Sequence, residues 1–256
     1  MKYILVQTFE HYGKKNCISF VLDVVIYNGE LESKADLVIR ALTNNKKAGK
    51  LTFSMLPIQS KDFLTIAKYL QQRLKKKKNE NLDQSIERLN LTGVPINPGL
   101  MQVIADELLD NAKYGKLKWL NLSQTGLTGD IPVTKAKSIP KQPQMREPNK
   151  SDNEKEGKTN KKEDVISILS KGLEKNTSLT YLHLSKNPKI KSDAFNRLLQ
   201  SMYKHPQIHL LIYNGNRLTF EHAVVLGHYF AQFPNPTLTR ISLEGCSIND
   251  QLDFFF

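Results

Sequence analysis

The sequence predicts an α/β solenoid with short parallel strands along a concave side, helices along a convex side, and an N-terminal cap. Three observations carry this. One eleven-residue apolar spacing recurs at intervals of about thirty residues. Apolar patterns of helical period fill the intervals. The first fifty residues fit neither pattern and read instead as a hairpin followed by a helix.

In residues 1–50, "KYILVQTFEHYGKKNCISFVLDVVIYNG" is rich in β-branched and aromatic residues on both sides of Gly13. It reads as two strands, and Ser33 to Thr43 reads as a helix. A cap is needed here because the first unit of a stacked array otherwise exposes its core edge. The solenoid is expected over residues 51–256.

The repeated spacing is plainest near the C-terminus. Leu238, Ile241, Leu243, Cys246 and Ile248 stand at offsets 0, 3, 5, 8 and 10. The same offsets hold Ile208, Leu211, Tyr213, Asn216 and Leu218, then Leu117, Leu120, Leu122, Thr125 and Leu127. Ile86, Leu89, Leu91, Val94 and Ile96 match as well. Leu179, Leu182, Leu184 and Asn187 match through offset 8, with Ile190 one place late. A weaker copy runs Phe53, Leu56, Ile58, Lys61 and Phe63. Between copies lie helical patterns such as Phe63, Ile66, Leu70; Leu100, Ile104, Leu108; Ile166, Leu169, Leu173; Phe195, Leu198, Met202; and Ala223, Val224, Gly227, Phe230. Each copy is therefore a strand, a turn and a helix, and only stacking buries its apolar face.

One interval is twice as long as the others. The extra stretch, Val133 to Glu163, holds three prolines, many charges and almost no large apolar residues. That composition cannot supply a core and predicts a disordered basic insertion between stacked neighbours. It reads either as a spacer or as an arm for an acidic partner.

This spacing resembles the leucine-rich-repeat pattern L-x-x-L-x-L-x-x-N/C-x-L. The long period with a full helix is similar to the ribonuclease-inhibitor-like class of that family, over roughly Leu51 to the C-terminus.

The chain has 256 residues, and its 37 Lys and Arg against 25 Asp and Glu give a net charge of +12. Such a balance favours acidic proteins, nucleic acid or anionic surfaces as partners. Part of it is local, in "RLKKKK" at Arg73 to Lys78 and in the insertion. Cys17 and Cys246 are far apart, with no metal-ligand spacing around either, which argues against a disulfide framework or a zinc module. The apolar run Tyr3 to Val6 is too short for a signal peptide, and no run approaches a membrane span. A soluble monomer in a reducing compartment is expected.

Catalytic patterns are missing from the sequence. The histidines at 11, 183, 205, 209, 222 and 228 form no HExxH, and neither G-x-S-x-G nor a phosphate-binding glycine loop occurs. No catalytic residue, cofactor or metal is expected. Cys246 sits at the Asn/Cys position of its copy, where a thiol is expected buried and inert.

Strand alternation points instead to a binding face. If offsets 3 and 5 point inward, the offset-2 column Met55, Arg88, Trp119, Tyr181, Leu210, Arg240 points outward. So does the offset-4 column Pro57, Asn90, Asn121, His183, Ile212, Ser242. Outward Trp, Tyr, Leu and Ile flanked by arginines have the composition of an interface hot spot. The candidate partner-binding residues are Arg88, Trp119, Asn121, Tyr181, His183, Leu210, Ile212 and Arg240. A non-enzymatic scaffold that recognises a protein through this face is the leading function. Nucleic-acid binding through the basic and aromatic residues is the alternative, and regulation of a small GTPase is a remoter one.

With its Lys, Asn and Ile richness and its tail, the chain also looks like leucine-rich-repeat effectors of intracellular bacteria such as Legionella. That resemblance implies type IV secretion, a host protein as partner, and residence first in a bacterial cytoplasm and then in a host cell. The tail residues Leu252 and Phe254 to Phe256 are expected either to close the open end of the last copy or to serve as a recognition tail.

Overall fold

A computed structural model of the chain describes residues 5–9, 19–23, 34–44, 48–53, 57–75, 85–129, 163–232 and 237–248. The insertion over 133–162, Cys17, Met55 and the tail at 249–256 lie outside the described residues.

The N-terminal strands β1 (Leu5–Phe9) and β2 (Ser19–Asp23) pair antiparallel, with Leu5 opposite Asp23 and Phe9 opposite Ser19. Helix α1 (Lys34–Asn44) follows. From there strand and helix alternate: β3 (Lys50–Thr52), α2 (Ser60–Lys75), β4 (Arg88–Asn90), α3 (Pro98–Val103, continued by a π-helical turn over Ile104–Leu109) and β5 (Trp119–Asn121). The second half holds α4 (Val165–Glu174), β6 (Tyr181–His183), α5 (Ser192–Tyr203), β7 (Leu210–Ile212), β8 (Arg217–Leu218), α6 (Phe220–Gln232), β9 (Arg240–Ser242) and β10 (Ser247–Ile248).

The fold is α/β with one parallel sheet of six strands in the order β3-β4-β5-β6-β7-β9. Strand order follows chain order, and so does helix packing, α1 on α2 through α5 on α6. The long connection between β5 and α4 does not break the succession, because β5 pairs directly with β6 and the π turn of α3 packs on α4.

The core is the repeated apolar set. Leu51, Leu89, Leu120, Leu182 and Leu211 are buried at offset 3 and register side by side. Offset 0 is filled by Ala48, Ile86, Leu117, Leu179, Ile208 and Leu238, all buried. The helices add Phe63, Ile66 and Leu70, then Leu100, Ile104 and Leu108, then Ile166, Leu169 and Leu173, then Phe195, Leu198 and Met202. The fourth copy carries one extra residue: Lys189 is exposed, and Ile190 takes the buried place.

Three sequence expectations are corrected. The first copy begins at Ala48, not Phe53, since Leu51 pairs with Leu89 and the buried Phe53 stands at offset 5. Its outward residues are therefore Lys50 and Thr52; Pro57 lies beyond the strand. In α6 the inward stripe is His222, Val225, Leu226 and Tyr229, one place from the expected one, while Ala223, Val224, Gly227 and Phe230 face outward. That helix is apolar on two faces, so periodicity alone could not choose between them. Cys246 is half-buried, as are Ile241 and Leu243, because β9 has no further strand of the sheet beside it.

The offset-8 position explains the Asn/Cys preference. Asn187 donates from Nδ2 to the Leu122 carbonyl (2.9 Å) and accepts at Oδ1 from the Thr125 and Leu127 amides, both at 3.1 Å. Asn216 repeats the donation to the Leu184 carbonyl at 3.0 Å, and the Cys246 thiol does so to the Tyr213 carbonyl at 3.3 Å. Each side chain thus satisfies a backbone carbonyl of the preceding copy that the parallel ladder leaves unpaired.

Candidate functional site

Each strand of the sheet is three residues, and its middle residue is buried in five of them and half-buried in the end strand β9. The residues before and after it therefore stand on the opposite face. Register sets Lys50, Arg88, Trp119, Tyr181, Leu210 and Arg240 side by side in one row across all six strands. Five of the eight candidates read from the sequence belong to this row or its ends. Lys50 is an addition; it was hidden because the first copy was taken to start five residues too late.

The centre of the row is aromatic. Trp119 and Tyr181 stack across the gap between β5 and β6, with ring centroids 5.4 Å apart and planes inclined by 22°. Two rings that face each other across neighbouring strands use up their inner faces and turn their edges to solvent. Tyr181 also meets His183 edge-on at 6.2 Å and 88°. Both Trp119 and Tyr181 are half-buried, as is Leu210 beside them.

The second row holds Thr52, Asn90, Asn121, His183, Ile212 and Ser242. Asn121 is only 7% exposed and is removed from the contact surface. It lies between its register neighbours Asn90 and His183, and its Oδ1 accepts from the Ser123 amide (2.8 Å) and hydroxyl (2.5 Å). Asn90 makes the same turn with Thr92, at 3.1 Å to the amide and 2.6 Å to the hydroxyl. These bonds close the strand ends and make Asn121 structural rather than a contact residue. His183 bonds the Ser185 hydroxyl at 2.7 Å, and burial holds its imidazole below the ordinary range. Burial thus favours the neutral form of the ring on this face. Ile212 is half-buried beside it.

Charge sits at the ends of the first row. Arg88 and Arg240 are exposed and Lys50 is half-buried; among the described residues none of the three has an ion-pair partner. The nearby carboxylate of Glu87 is paired with Lys118 at 2.7 Å. Trp119 and Tyr181 have no hydrogen bond from the indole N–H or the phenol among the described residues.

The buried histidines serve the fold. His205 Nδ1 accepts from the Gln207 and Ile208 amides, both at 3.1 Å, and Nε2–H donates to Asn176 Oδ1 at 3.2 Å. Its pKa is pushed down to about 4 by burial. His222 lies against Thr219 Oγ1 (2.9 Å) and the Ile190 carbonyl (3.2 Å), and burial lowers its pKa as well. Among the described residues no group of three or more His, Cys, Asp or Glu could hold a metal ion, and no helix is long and apolar enough to cross a membrane. Neither a family model nor a curated protein matches the chain.

Proposed function

We propose that the chain is a leucine-rich-repeat solenoid of the ribonuclease-inhibitor-like class and a scaffold without chemistry of its own. It recognises a protein partner through the outward face of its parallel sheet, taken as the concave side. The observation that carries this reading is the row itself: Trp119, Tyr181 and Leu210 stand in adjacent strands on one face, flanked by cations with no ion-pair partner among the described residues. Aromatic residues with arginines at their border are the composition of interface hot spots. The repeated spacing, the strand order that follows chain order and the carbonyl-satisfying Asn at offset 8 support the repeat assignment. A host protein is the partner if the chain acts as bacterial effectors of this class do.

The test is affinity capture from cell lysate, comparing wild type with the Trp119→Ala, Tyr181→Ala double variant. Partners captured by wild type should be lost from the variant while its urea midpoint stays close to wild type. Equal capture by both proteins would remove this face from the function.

A further inference from the structure

We propose that the segment docked on this row is acidic at both ends and apolar at its centre. This rests on the reading of the row as the contact surface and adds the chemistry of what it contacts.

The charged groups of the row are all donors. Lys50, Arg88 and Arg240 have no carboxylate partner among the described residues. The Trp119 indole can only donate, and it stands edge-out with the phenol of Tyr181 beside it. The rim of an aromatic ring is the positive part of its quadrupole, so the outward edges also favour acceptors over cations. A basic partner would meet three like charges and the indole donor, with only the Tyr181 hydroxyl able to accept from it, whereas a carboxylate-bearing one can pair with each of the cations.

The distribution adds a length. Lys50 and Arg88 are direct register neighbours, a like-charge pair that costs stability in the free protein. A carboxylate between them relieves that repulsion. Arg240 stands at the far end, four strand intervals from Arg88, which is about 19 Å at the usual strand separation of about 4.8 Å. Between them lie only Trp119, Tyr181 and Leu210. The matching segment has acidic groups about 19 Å apart, which is about thirteen residues of helix or six of extended chain. Single-stranded nucleic acid fits less well. Its phosphates recur much more closely than these cations, and the ring faces it would stack on are already turned to each other.

A peptide-display selection on the full chain tests this, with binding of the enriched peptides then measured against variants and against a single-stranded oligouridylate. Enriched peptides should carry Asp or Glu on both sides of an apolar run. The Arg88→Glu, Arg240→Glu pair should weaken them at least tenfold, and Arg88→Gln, Arg240→Gln less so. Both pairs lie at exposed positions and should not lower the urea midpoint. Neutral or basic peptides that are lost with Trp119→Ala but not with the charge reversal overturn the acidic partner and keep the row. Peptides indifferent to both changes, or no enrichment at all, overturn the row as well. Oligouridylate binding tighter than any peptide, and lost with Trp119→Ala, assigns the row to nucleic acid.

Discussion

At offset 7 every described turn after a strand passes through the left-handed region: Gly93, Gln124, Lys186, Gly215 and Gly245 have φ of 71°, 59°, 56°, 64° and 63°. The amides at this offset continue the lateral ladder, as Gly93 N–H does to Ser123 O and Gln124 N–H to Ser185 O. The conformation is therefore set by the stacking and not by the residue. Glycine adopts it freely, while a side chain there costs about 1 kcal/mol or more. Gln124 is exposed and its side chain makes no hydrogen bond among the described residues, so Gln124→Gly should raise stability by about 0.5–1 kcal/mol, after the extra entropy of a glycine in the unfolded chain. A urea titration that shows a loss instead would mean the turn is not held by its neighbours. The opposite sign belongs to Asn187→Ala, which strands the Thr125 and Leu127 amides in the interior and leaves the Leu122 carbonyl only the Thr125 hydroxyl. That loss should be about 2–3 kcal/mol, and a midpoint within error of wild type would deny the ladder its role. At offset 8 Asn187, Asn216 and Cys246 of the last three copies were legible as Asn/Cys positions, while Val94 and Thr125 were not. The glycines of offset 7 were equally visible, but Gln124 and Lys186 interrupt them and carry no local sign of a left-handed turn.

Among helices, two glycines separate packing from propensity. Gly172 lies on α4 where it crosses the π turn of α3, and a Cβ there would come within 2.9 Å of Ala105 Cβ and 3.0 Å of Leu109 Cδ1. Gly227 lies on the outward face of α6, with nothing within 4 Å of the same atom. Gly172→Ala should therefore cost about 1–3 kcal/mol through overpacking, whereas Gly227→Ala should gain about 1 kcal/mol from helix propensity. Equal effects of one sign in thermal or urea unfolding would refute this account of how α3, α4 and α6 sit. The π turn itself was not legible. Its apolar residues Ile104, Leu108 and Leu109 read as ordinary helix, and the added residue is seen only in the bond from Asp110 N–H to the Ala105 carbonyl at 3.1 Å. The Glu107 carbonyl is taken by Gln71 of α2 at 2.9 Å, which ties the distortion to the neighbouring helix. The start of α4 was legible, since Asp164 caps it by accepting from the Ser167 amide at 2.9 Å. In α6 the sequence offers two apolar stripes, and only contact with α5 selects the one through His222 and Tyr229.

For the molecule as a whole, spacing alone foretold the strand sequence and most of the row, because lateral pairing of identical offsets leaves no freedom once the repeats stack. It did not foretell Lys50, whose copy opens on the small Ala48, nor the burial of Asn121, which depends on its neighbours. Nor does an isolated histidine in a sequence announce its protonation state, and here that state couples global stability to pH. His205 is buried with Nδ1 accepting two backbone amides and Nε2–H donating to Asn176, so a proton on Nδ1 would face two N–H donors. Its pKa in the fold is about 4, below the ordinary value of about 6.5 that it regains on unfolding. His222 and His183 are lowered in the same direction by burial. Between those values the unfolded chain binds more protons than the folded one. Stability is then complete above about pH 6.5 and falls as the pH drops toward about 4, where the loss from His205 is of order 2–3 kcal/mol. The Glu107 carboxyl, held below its ordinary value against desolvation by hydrogen bonds from Lys113 and Gln71, adds a loss of the same sign only as the pH falls through the carboxylate range. Urea midpoints at pH 7.5, 6.5, 5.5 and 4.5 should therefore decline from the second value onward. His205→Gln, whose amide can both accept and donate, should be less stable at pH 7.5 and show a shallower decline. A wild-type midpoint that stays level down to pH 5, or a variant with the full wild-type slope, would show that His205 does not carry this dependence.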